Sequence, residues 1–520
     1  MLIHDFLELS AEGGPERQAL VHGPQRLSYA ALQQASSRFA AHLQDAGVRR
    51  GDRVVVQLEN SVEAVISLLG TLRAGAVIVP LGPTVKAEKL TYILDDSEAV
   101  ALVTESRADG TLATVVERCP AVRLVVLTPD SDAGSPAVPL RPGVTVASWD
   151  SMLTDAAPGA GRPIDVDLAA LIYTSGSTGK PKGVMLSHLN MVAAATSIGD
   201  YLQNTPDDVI INVLPLSFDY GLYQIFLALR AGASVVLERA FVYPSAILEI
   251  LERESVTGLP LVPTLAAMLL KHDLRARRLA IRYVTSTGAA FPTSHIKALR
   301  EQLPNARFFS MYGLTECKRV SYLPPDQLDV RPTSVGKPMD NVEVYVADEQ
   351  GQLRESGEGE LVIRGANVMR GYWRAPELTA QYLKPGLYPG EQLLYTGDRF
   401  RIDEQGYMYF VARLDDMLKS RGQRVSPREV EDVIYQLPGV TGVAVIGTPD
   451  ALLGNFVNAV LTVDPPGSLS EQQVMRHCAD VLEDYMVPRA IHFVDSLPRT
   501  ESGKIDRRRV AIPARRTHAH

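Results

Sequence analysis

The sequence predicts an α/β protein of more than one domain. Short apolar runs of the kind that form buried strands alternate with longer segments of helical periodicity through most of the chain. Strands that alternate with helices pair in parallel. The chain has 520 residues, more than a usual single domain, and its 46% hydrophobic and 22% charged residues are typical of a globular protein with a large core.

The composition argues against several classes of partner and site. The net charge of −8 disfavours a nucleic-acid partner. Cys119, Cys317 and Cys478 lie far apart in sequence, which argues against a disulfide framework or a structural zinc site. No apolar run reaches the ~18 residues that a membrane helix requires, and the N-terminus lacks the pattern of a signal peptide. We therefore expect a cytoplasmic protein that does not bind membranes.

The first 165 residues predict helices between parallel strands. A helix begins after Ser28, its predicted N-cap, and runs to Ala46, and a second helix spans 61–74. The predicted strands cover 52–58, 76–81, 100–103 and 124–127. Residues 130–141 are rich in Ser, Pro, Gly and Asp, which predicts a surface loop.

A loop rich in glycine and hydroxyl residues follows the apolar run 168–173. Residues 174–183 are Thr-Ser-Gly-Ser-Thr-Gly-Lys-Pro-Lys-Gly, and a helical pattern begins at His188. Such a loop suits a phosphate, because glycines let the backbone approach an anion closely and N–H groups and lysines present positive charge. It is not a Walker loop, since Pro181 follows Gly-Lys. A flexible linker is the alternative, which two lysines and a proline at a strand end disfavour.

The later strands continue the pattern toward a smaller C-terminal region. Strands are predicted at 208–214, 234–238, 258–264 and 283–288, with an irregular turn over 215–221. Several of these strands end in small, hydroxyl or glycine residues, and in open α/β sheets ligands gather at such ends. A hairpin turn at 403–407 and a strand at 409–413 follow. Beyond them the sequence predicts a helix, two strands and a helix, at 429–435, 440–448, 456–463 and 471–483.

Four motifs in order resemble those of the adenylate-forming superfamily. The first is the loop 174–183, and the second is Tyr312-Gly-Leu-Thr-Glu316, similar to Tyr-Gly-x-Thr-Glu. The third is Thr396-Gly-Asp398, and the fourth runs from Pro498 to Gly503-Lys504. The resemblance covers roughly residues 10–510. It implies a large multi-sheet N-terminal adenylation domain over 1–413 and a small, mobile α+β C-terminal domain over 414–520.

The resemblance also implies the sites of ATP and Mg²⁺. Tyr312 would stack on adenine, Thr315 would meet the α-phosphate, Glu316 would hold Mg²⁺, and Asp398 and Arg413 would contact the ribose. Attack of a carboxylate on phosphorus brings two anions together, so a cation is needed to screen them. Ser310 stands where relatives often carry an amide that meets adenine. The expected nucleotide-binding residues include Thr174, Ser175, Gly176, Ser177, Thr178, Gly179, Lys182, Gly288 and Ala289.

Lys504 is the catalytic lysine that the resemblance implies. Its ammonium would bridge the substrate carboxylate and ATP, which steers the attack and stabilises developing charge. The resemblance also places Asp415 at the position about which the C-terminal domain of relatives rotates between two half-reactions, and Gly422 on the loop that in relatives faces the site during thiol transfer. The alternative for Lys504, a solvated surface lysine, is disfavoured by the four ordered motifs.

The pair Phe218-Asp219 is the strongest indication of the substrate. In amino-acid-activating relatives this aspartate binds the substrate ammonium, whereas many acyl-CoA ligases carry histidine at the position of Phe218. A turn-capping role is the alternative for Asp219. The role of Arg319 remains open. It could pair with Asp219 or Glu316, face solvent, or bind a second acidic group on the substrate. Large side chains in the pocket favour a small amino acid. The expected acid-binding residues are Phe218, Asp219, Tyr220, Tyr223, Pro260, Thr285, Thr287, Met311, Arg319 and Val320.

These observations predict a stand-alone ligase that activates a small amino acid and transfers it to the phosphopantetheine thiol of a separate carrier protein. No carrier module is expected within the chain. Carrier proteins attach phosphopantetheine to a serine in an Asp-Ser-Leu setting, but Asp495-Ser496-Leu497 lies inside the predicted C-terminal domain, directly before the lysine motif. The alternative is an acyl-CoA synthetase that uses free CoA. A binding protein without catalytic activity is disfavoured by the complete motif set, and an adenylate oxidase of the luciferase type shares these motifs.

Overall fold

The fold was analysed in a computed structural model. It describes residues 1–105, 111–129, 140–156, 162–175, 181–239, 243–287, 291–414, 418–420, 423–450, 454–482, 486–500 and 504–512.

The described strands are short and are distributed along the whole chain. They are β1 Gln18–His22, β2 Gln25–Ser28, β3 Arg53–Gln57, β4 Val77–Leu81, β5 Ala101–Glu105, β6 Leu124–Thr128, β7 Thr145–Ser148, β8 Leu168–Ser175, β9 Pro181–Ser187, β10 Val209–Asn212, β11 Ser234–Leu237, β12 Gly258–Leu261, β13 Tyr283–Ser286, β14 Arg307–Tyr312, β15 Ser321–Leu323, β16 Lys337–Pro338, β17 Val342–Ala347, β18 Leu353–Arg354, β19 Gly357–Gly365, β20 Leu383–Pro385, β21 Gln392–Ile402, β22 Met408–Arg413, β23 Leu418–Ser420, β24 Gln423–Val425, β25 Val440–Asp450, β26 Gly454–Val463 and β27 Ala490–Phe493.

The described α-helices lie between these strands. They are α1 Asp5–Gly13, α2 Tyr29–Asp45, α3 Val62–Arg73, α4 Ala87–Asp96, α5 Thr111–Glu117, α6 His188–Leu202, α7 Asp219–Ala231, α8 Pro244–Arg253, α9 Pro263–Leu269, α10 Thr293–Gln302, α11 Pro376–Tyr382, α12 Pro427–Ile434 and α13 Glu471–Val481. None of these helices combines the length and the apolar composition that a membrane crossing requires.

Two largely parallel sheets form the centre of the N-terminal region. Their described strand orders are β7-β6-β5-β3-β4-β8-β9 and β16-β15-β14-β13-β12-β10-β11-β1-β2. The predicted parallel pairing of the early strands is confirmed by β3, which pairs in parallel with β4 and with β5. The predicted N-cap is also confirmed, because the Ser28 hydroxyl accepts a 3.2 Å hydrogen bond from the Ala31 amide.

An antiparallel sheet and a separate C-terminal sheet complete the fold. The antiparallel sheet has the order β18-β17-β19-β21-β20 with β22 on β21, and the last sheet has the order β24-β23-β26-β25 with β27 on β26. The last sheet packs with α12 and α13 around its own buried core, which includes Val430, Ile434, Val445 and Leu461. The predicted fold class, a large multi-sheet N-terminal region and a smaller α+β C-terminal one, is therefore confirmed.

Three local predictions differ from the structure. The glycine-rich loop does not lead straight into a helix, because β9 intervenes and pairs antiparallel with β8. Most of this strand is buried, since Gly183, Val184, Leu186 and Ser187 are all covered by the protein. The turn after β10 is shorter than predicted, since α7 already begins at Asp219. Strand β12 ends at Leu261, because Pro263 starts a helix as its first residue.

Candidate functional site

Three neighbouring parallel strands bring their carboxyl ends together at the candidate site. Pro260 of β12 is in register with Thr285 of β13, and Thr285 is in register with Phe309 of β14. Met311 and Tyr312 end β14, and Thr287 follows β13 directly. The sheet therefore gathers residues that are separated by about fifty positions in sequence into one place, at the edge where ligands of such sheets bind.

The loop after β14 doubles back tightly. A Cβ atom on Gly313 would lie 2.2 Å from the carbonyl oxygen of Lys318, so only glycine fits there. Val320 is fully buried, and its amide bonds the carbonyl oxygen of Tyr312 at 2.9 Å. This close approach holds Thr315 and Glu316 at the tip of the loop, where both are partly exposed.

Glu316 lies beside a lysine of the β8–β9 hairpin. The Tyr372 hydroxyl donates to Glu316 Oε1 at 2.7 Å, and Lys182 Nζ donates to the same hydroxyl at 3.0 Å. Lys182 Nζ is itself 3.7 Å from Glu316 Oε1. Mg²⁺ is usually held by one or two carboxylates together with substrate phosphates, so a carboxylate such as Glu316, next to the predicted phosphate-binding loop, fits that ion.

Asp398 lies between Tyr312 and Arg413. The Tyr312 hydroxyl donates to Asp398 Oδ2 at 2.5 Å, and Arg413 Nε lies 3.2 Å from Oδ1. The strand pairing produces this geometry, because Asp398 on β21 is directly opposite Arg413 on β22. Burial, and then the Asp398 charge, raise the pKa of Tyr312 well above its ordinary value. Tyr312 is therefore a neutral donor that orients the carboxylate.

Lys504 reaches this site from the C-terminal region. Its backbone is held by Thr500, whose amide donates to the Lys504 carbonyl oxygen at 2.8 Å. Its Nζ lies 5.7 Å from the centre of the Phe218 ring. Burial lowers the pKa of Lys504, while the negative charges of Asp219, Asp398 and Glu316 act to raise it. The lysine thus lies within electrostatic reach of all three carboxylates of the site.

Asp219 is in the first turn of α7 and has a lysine beside it. Its side chain is largely buried, and Lys318 Nζ lies 3.7 Å from its Oδ2, beyond hydrogen-bond distance. The same Nζ donates to the Asp219 carbonyl oxygen at 2.7 Å. Burial lowers the pKa of Lys318 to about 7, an effect that the Asp219 charge opposes. Lys318 is therefore the described ion-pair partner of the Asp219 carboxylate.

Large aromatic side chains surround this pair. The Tyr220 hydroxyl donates to the Thr285 carbonyl oxygen at 2.8 Å, and both side chains are buried. Lys318 Nζ lies 4.4 Å from the centre of the Tyr223 ring. Met311 accepts a 2.8 Å hydrogen bond from Tyr201 at its sulfur. These contacts make Tyr223 both a core residue and a neighbour of the candidate acid site.

Arg319 does not face solvent and does not pair with either predicted carboxylate. Its side chain is 2% exposed, and its Nε and Nη1 atoms are buried without a hydrogen-bond partner. Within the described part of the chain, neither Asp219 nor Glu316 lies within ion-pair distance of it. Two of the predicted roles of Arg319 are therefore excluded: an ion pair with Asp219 or Glu316, and exposure to solvent.

Several predicted site residues lie outside the described residues. They are Gly176, Ser177, Thr178, Gly179, Gly288, Ala289 and Asp415, together with Gly422. Ser175 is described as the last residue of β8. Thr174 pairs in register with Lys182 across the hairpin, which puts the two ends of the glycine-rich loop side by side.

Sequence reasoning missed Lys318 and Tyr372. Lys318 takes a left-handed backbone conformation, with φ of 62°, which turns the loop back toward α7. The only sequence signal was its place between two predicted site residues, Glu316 and Arg319. Tyr372 is 190 residues away from Lys182, and nothing in the local sequence marks its hydroxyl as a bridge between Lys182 and Glu316.

Comparison with known proteins gives consistent matches over the whole chain. Residues 7–373 match the family described as AMP-binding enzyme, and residues 429–504 match the AMP-binding enzyme C-terminal domain. Tyrocidine synthase 3 from Brevibacillus parabrevis is 31% identical over 98% of this chain, which spans only 8% of that protein. A long-chain-fatty-acid–CoA ligase from Escherichia coli O157:H7 is 31% identical over 98% of this chain and 94% of its own length. The structure of ATP-bound MatB from Rhodopseudomonas palustris superposes with a TM-score of 0.86 at 31% identity and covers 98% of both chains.

Proposed function

The chain belongs to the AMP-binding enzyme family, and on this premise we propose that it activates a small amino acid and transfers it to the thiol of a separate carrier protein. It is an AMP-forming ligase that uses ATP.

The observation that supports an amino acid is the position of the Asp219 carboxylate. It is largely buried at the start of α7, and its described ion-pair partner, Lys318 Nζ, lies 3.7 Å from its Oδ2, farther than a normal hydrogen bond. The adjacent Phe218 ring lies 5.7 Å from Lys504 Nζ. An ammonium bound at Asp219 and a carboxylate bound at Lys504 would thus belong to one small molecule. A buried ammonium is costly without such a partner.

In the first half-reaction, an oxygen of the substrate carboxylate attacks the α-phosphorus of ATP and pyrophosphate leaves. Lys504 would hold the attacking carboxylate, and Lys182 would hold phosphate oxygens at the hairpin. Glu316, oriented by the Tyr372 hydroxyl, would hold Mg²⁺, which supplies charge neutralisation between the reacting anions. Asp398 would accept hydrogen bonds from the ribose hydroxyls, with Tyr312 and Arg413 fixing its orientation.

In the second half-reaction, a thiol attacks the acyl carbonyl carbon and AMP leaves. A cavity of about 330 Å³ lies between the N-terminal and C-terminal regions, and its lining includes Val262, Arg413 and Lys504. This cavity runs beside Lys504 and is a suitable approach for the narrow pantetheine arm of a carrier protein or of CoA.

Lys318 supports a second candidate, the activation of an amine-free acid with CoA as the acceptor. Its ammonium already lies 3.7 Å from Asp219 and provides an internal cation where a substrate ammonium would bind. An amine-free acid would leave this ion pair undisturbed. An amino acid has to share Asp219 with Lys318.

Substrate-dependent exchange of pyrophosphate into ATP distinguishes the two candidates. The purified chain is assayed with separate panels of small amino acids and of matched amine-free acids. Exchange with amino acids supports the proposal, and a carrier protein and CoA are then compared as acceptors. Exchange with amine-free acids alone contradicts it and supports the CoA ligase.

Replacement of Lys318 tests the competition at Asp219. In Lys318→Met the internal cation is lost and the aliphatic bulk is kept, so a substrate ammonium gains sole access to the carboxylate. We expect the ratio of kcat/KM for an amino acid to that for its amine-free analogue to rise about ten-fold, the scale of one hydrogen bond to a charged group. The ratio is measured by exchange in wild type and variant. An unchanged ratio would show that Lys318 and the substrate ammonium do not compete.

A further inference from the structure

Arg319 is a buried cation whose backbone position is fixed. Its amide donates to the Cys317 carbonyl oxygen at 2.7 Å, and its own carbonyl oxygen accepts from the Asn367 side chain at 2.7 Å. The side chain is 2% exposed. The guanidinium group is therefore held in the protein interior by the same loop that carries Glu316 and Lys318.

The guanidinium group lies among the side chains of the candidate acid pocket. Its central carbon is 5.6 Å from the centre of the Tyr220 ring. Its charge also acts on the hydroxyls of Tyr201 and Tyr223. Tyr220 and Tyr223 belong to α7, whose first residue is Asp219. Arg319 thus adjoins the place where a substrate would meet Asp219.

The described residues offer Arg319 no compensating charge. No carboxylate among them lies within ion-pair distance, and both Nε and Nη1 are buried without a hydrogen-bond acceptor. The preceding residue, Lys318, is a second buried basic side chain, and it is the one that forms the described ion pair with Asp219. Burial of a charge without a partner is strongly unfavourable, and the unmade hydrogen bonds add to the cost.

We propose that the activated acid carries a second acidic group and that Arg319 binds it. This inference rests on the proposed function, since it concerns the acid that the ligase activates. One carboxylate of the substrate reacts near Lys504, and the other accepts hydrogen bonds from the unpaired donors of Arg319. A neutral acceptor such as a hydroxyl would satisfy the donors and leave the charge uncompensated, so the pocket calls for an anion.

The substrate class that follows is a short dicarboxylic acid. Tyr220, Tyr223 and Met311 are large buried side chains around this position, so we expect few carbon atoms between the two carboxylates of the substrate. With an ammonium at Asp219 the substrate is an acidic amino acid of the size of aspartate. Without one it is a short dicarboxylic acid of the size of succinate.

Matched substrate pairs test this inference. Pyrophosphate exchange is measured with alanine against aspartate and with propionate against succinate, in wild type, in Arg319→Gln and in Arg319→Lys. We expect wild type to prefer the dicarboxylic member of the productive pair at least about ten-fold in kcat/KM. Arg319→Gln is expected to remove this preference through KM, because the lost contact binds the substrate away from the reacting atoms. Arg319→Lys keeps the charge and should retain part of the preference.

The outcomes separate the inference from the proposed function. Exchange in wild type with the monocarboxylic members alone overturns the role of Arg319 and leaves the ligase proposal standing. Absence of exchange in wild type with these four acids and with the full panels of small amino acids and amine-free acids overturns the proposed function. The inference is then decided by thermal unfolding with ATP present: stabilisation by succinate or aspartate in wild type and not in Arg319→Gln supports it, and no stabilisation of wild type overturns it. Because wild type alone can overturn it, the test does not depend on whether a variant folds.

Discussion

Replacement of Lys504 by alanine is expected to reduce adenylate formation about 100-fold or more and to leave thiol transfer nearly unchanged. The reason is the place of its ammonium, within electrostatic reach of Asp219, Asp398 and Glu316 and beside the Phe218 ring. There it would bring the substrate carboxylate and the α-phosphate together. Removal of one such preorganised donor typically costs about 10²–10³ in kcat. Once the adenylate exists, this task is complete.

The two half-reactions are measured separately. Adenylate formation is followed by pyrophosphate exchange, and transfer is followed from a supplied acyl-adenylate to the thiol. Lys297→Ala is the matched control, because Lys297 is exposed on α10 and its replacement removes an equal charge from the surface. Equal losses in both half-reactions would contradict the role assigned to Lys504. An equal loss of adenylate formation in Lys297→Ala would show that the net charge of the protein, and not the position of Lys504, causes the effect.

The parts of the site that the sequence predicts well are those held by short segments. Tyr312 and Glu316 are four residues apart, and Gly313 allows the single tight turn that relates them, so local sequence determines their arrangement. Asp398 and Arg413 are farther apart, yet a hairpin between β21 and β22 brings them into register. A turn at 403–407 that was visible in the sequence thus accounts for a contact across the site.

The parts that the sequence does not predict depend on tertiary packing. Lys318 has a positive φ and its carbonyl group lies close to Gly313, while its side chain contacts Asp219 of α7. Because lysine side chains are usually exposed to solvent, the residue type alone predicts an exposed side chain for Lys318. Strand β9 was missed because it is short, begins with a proline and is buried on most of its positions, so its sequence shows no alternation. The contact of Tyr372 with Glu316 joins segments 56 residues apart, for which a single sequence carries no signal.

The prediction that bears most directly on the substrate concerns Asp219. Asp219→Ala is expected to lower amino acid exchange roughly 10- to 150-fold, which corresponds to the ~1.5–3 kcal/mol of a hydrogen bond to a charged group. Exchange with an amine-free analogue should fall much less, because that molecule has no ammonium to bind. The comparison of the two substrates in one variant removes any common effect on ATP or on catalysis.

The ion pair with Lys318 requires a second variant, because Asp219→Ala also leaves the buried Lys318 amine without its carboxylate, and breaking a buried pair in this way is destabilising. Asp219→Ala combined with Lys318→Met removes one negative and one positive charge, so the net charge of the pocket is unchanged. If both variants lose amino acid exchange to a similar extent while the double variant unfolds at the wild-type temperature, the loss belongs to substrate binding. If the double variant regains exchange, the loss in the single variant came from the stranded amine. Full exchange in both would leave Asp219 as the internal partner of Lys318 alone, and an amine-free acid with CoA as the acceptor would then be the better account of this pocket.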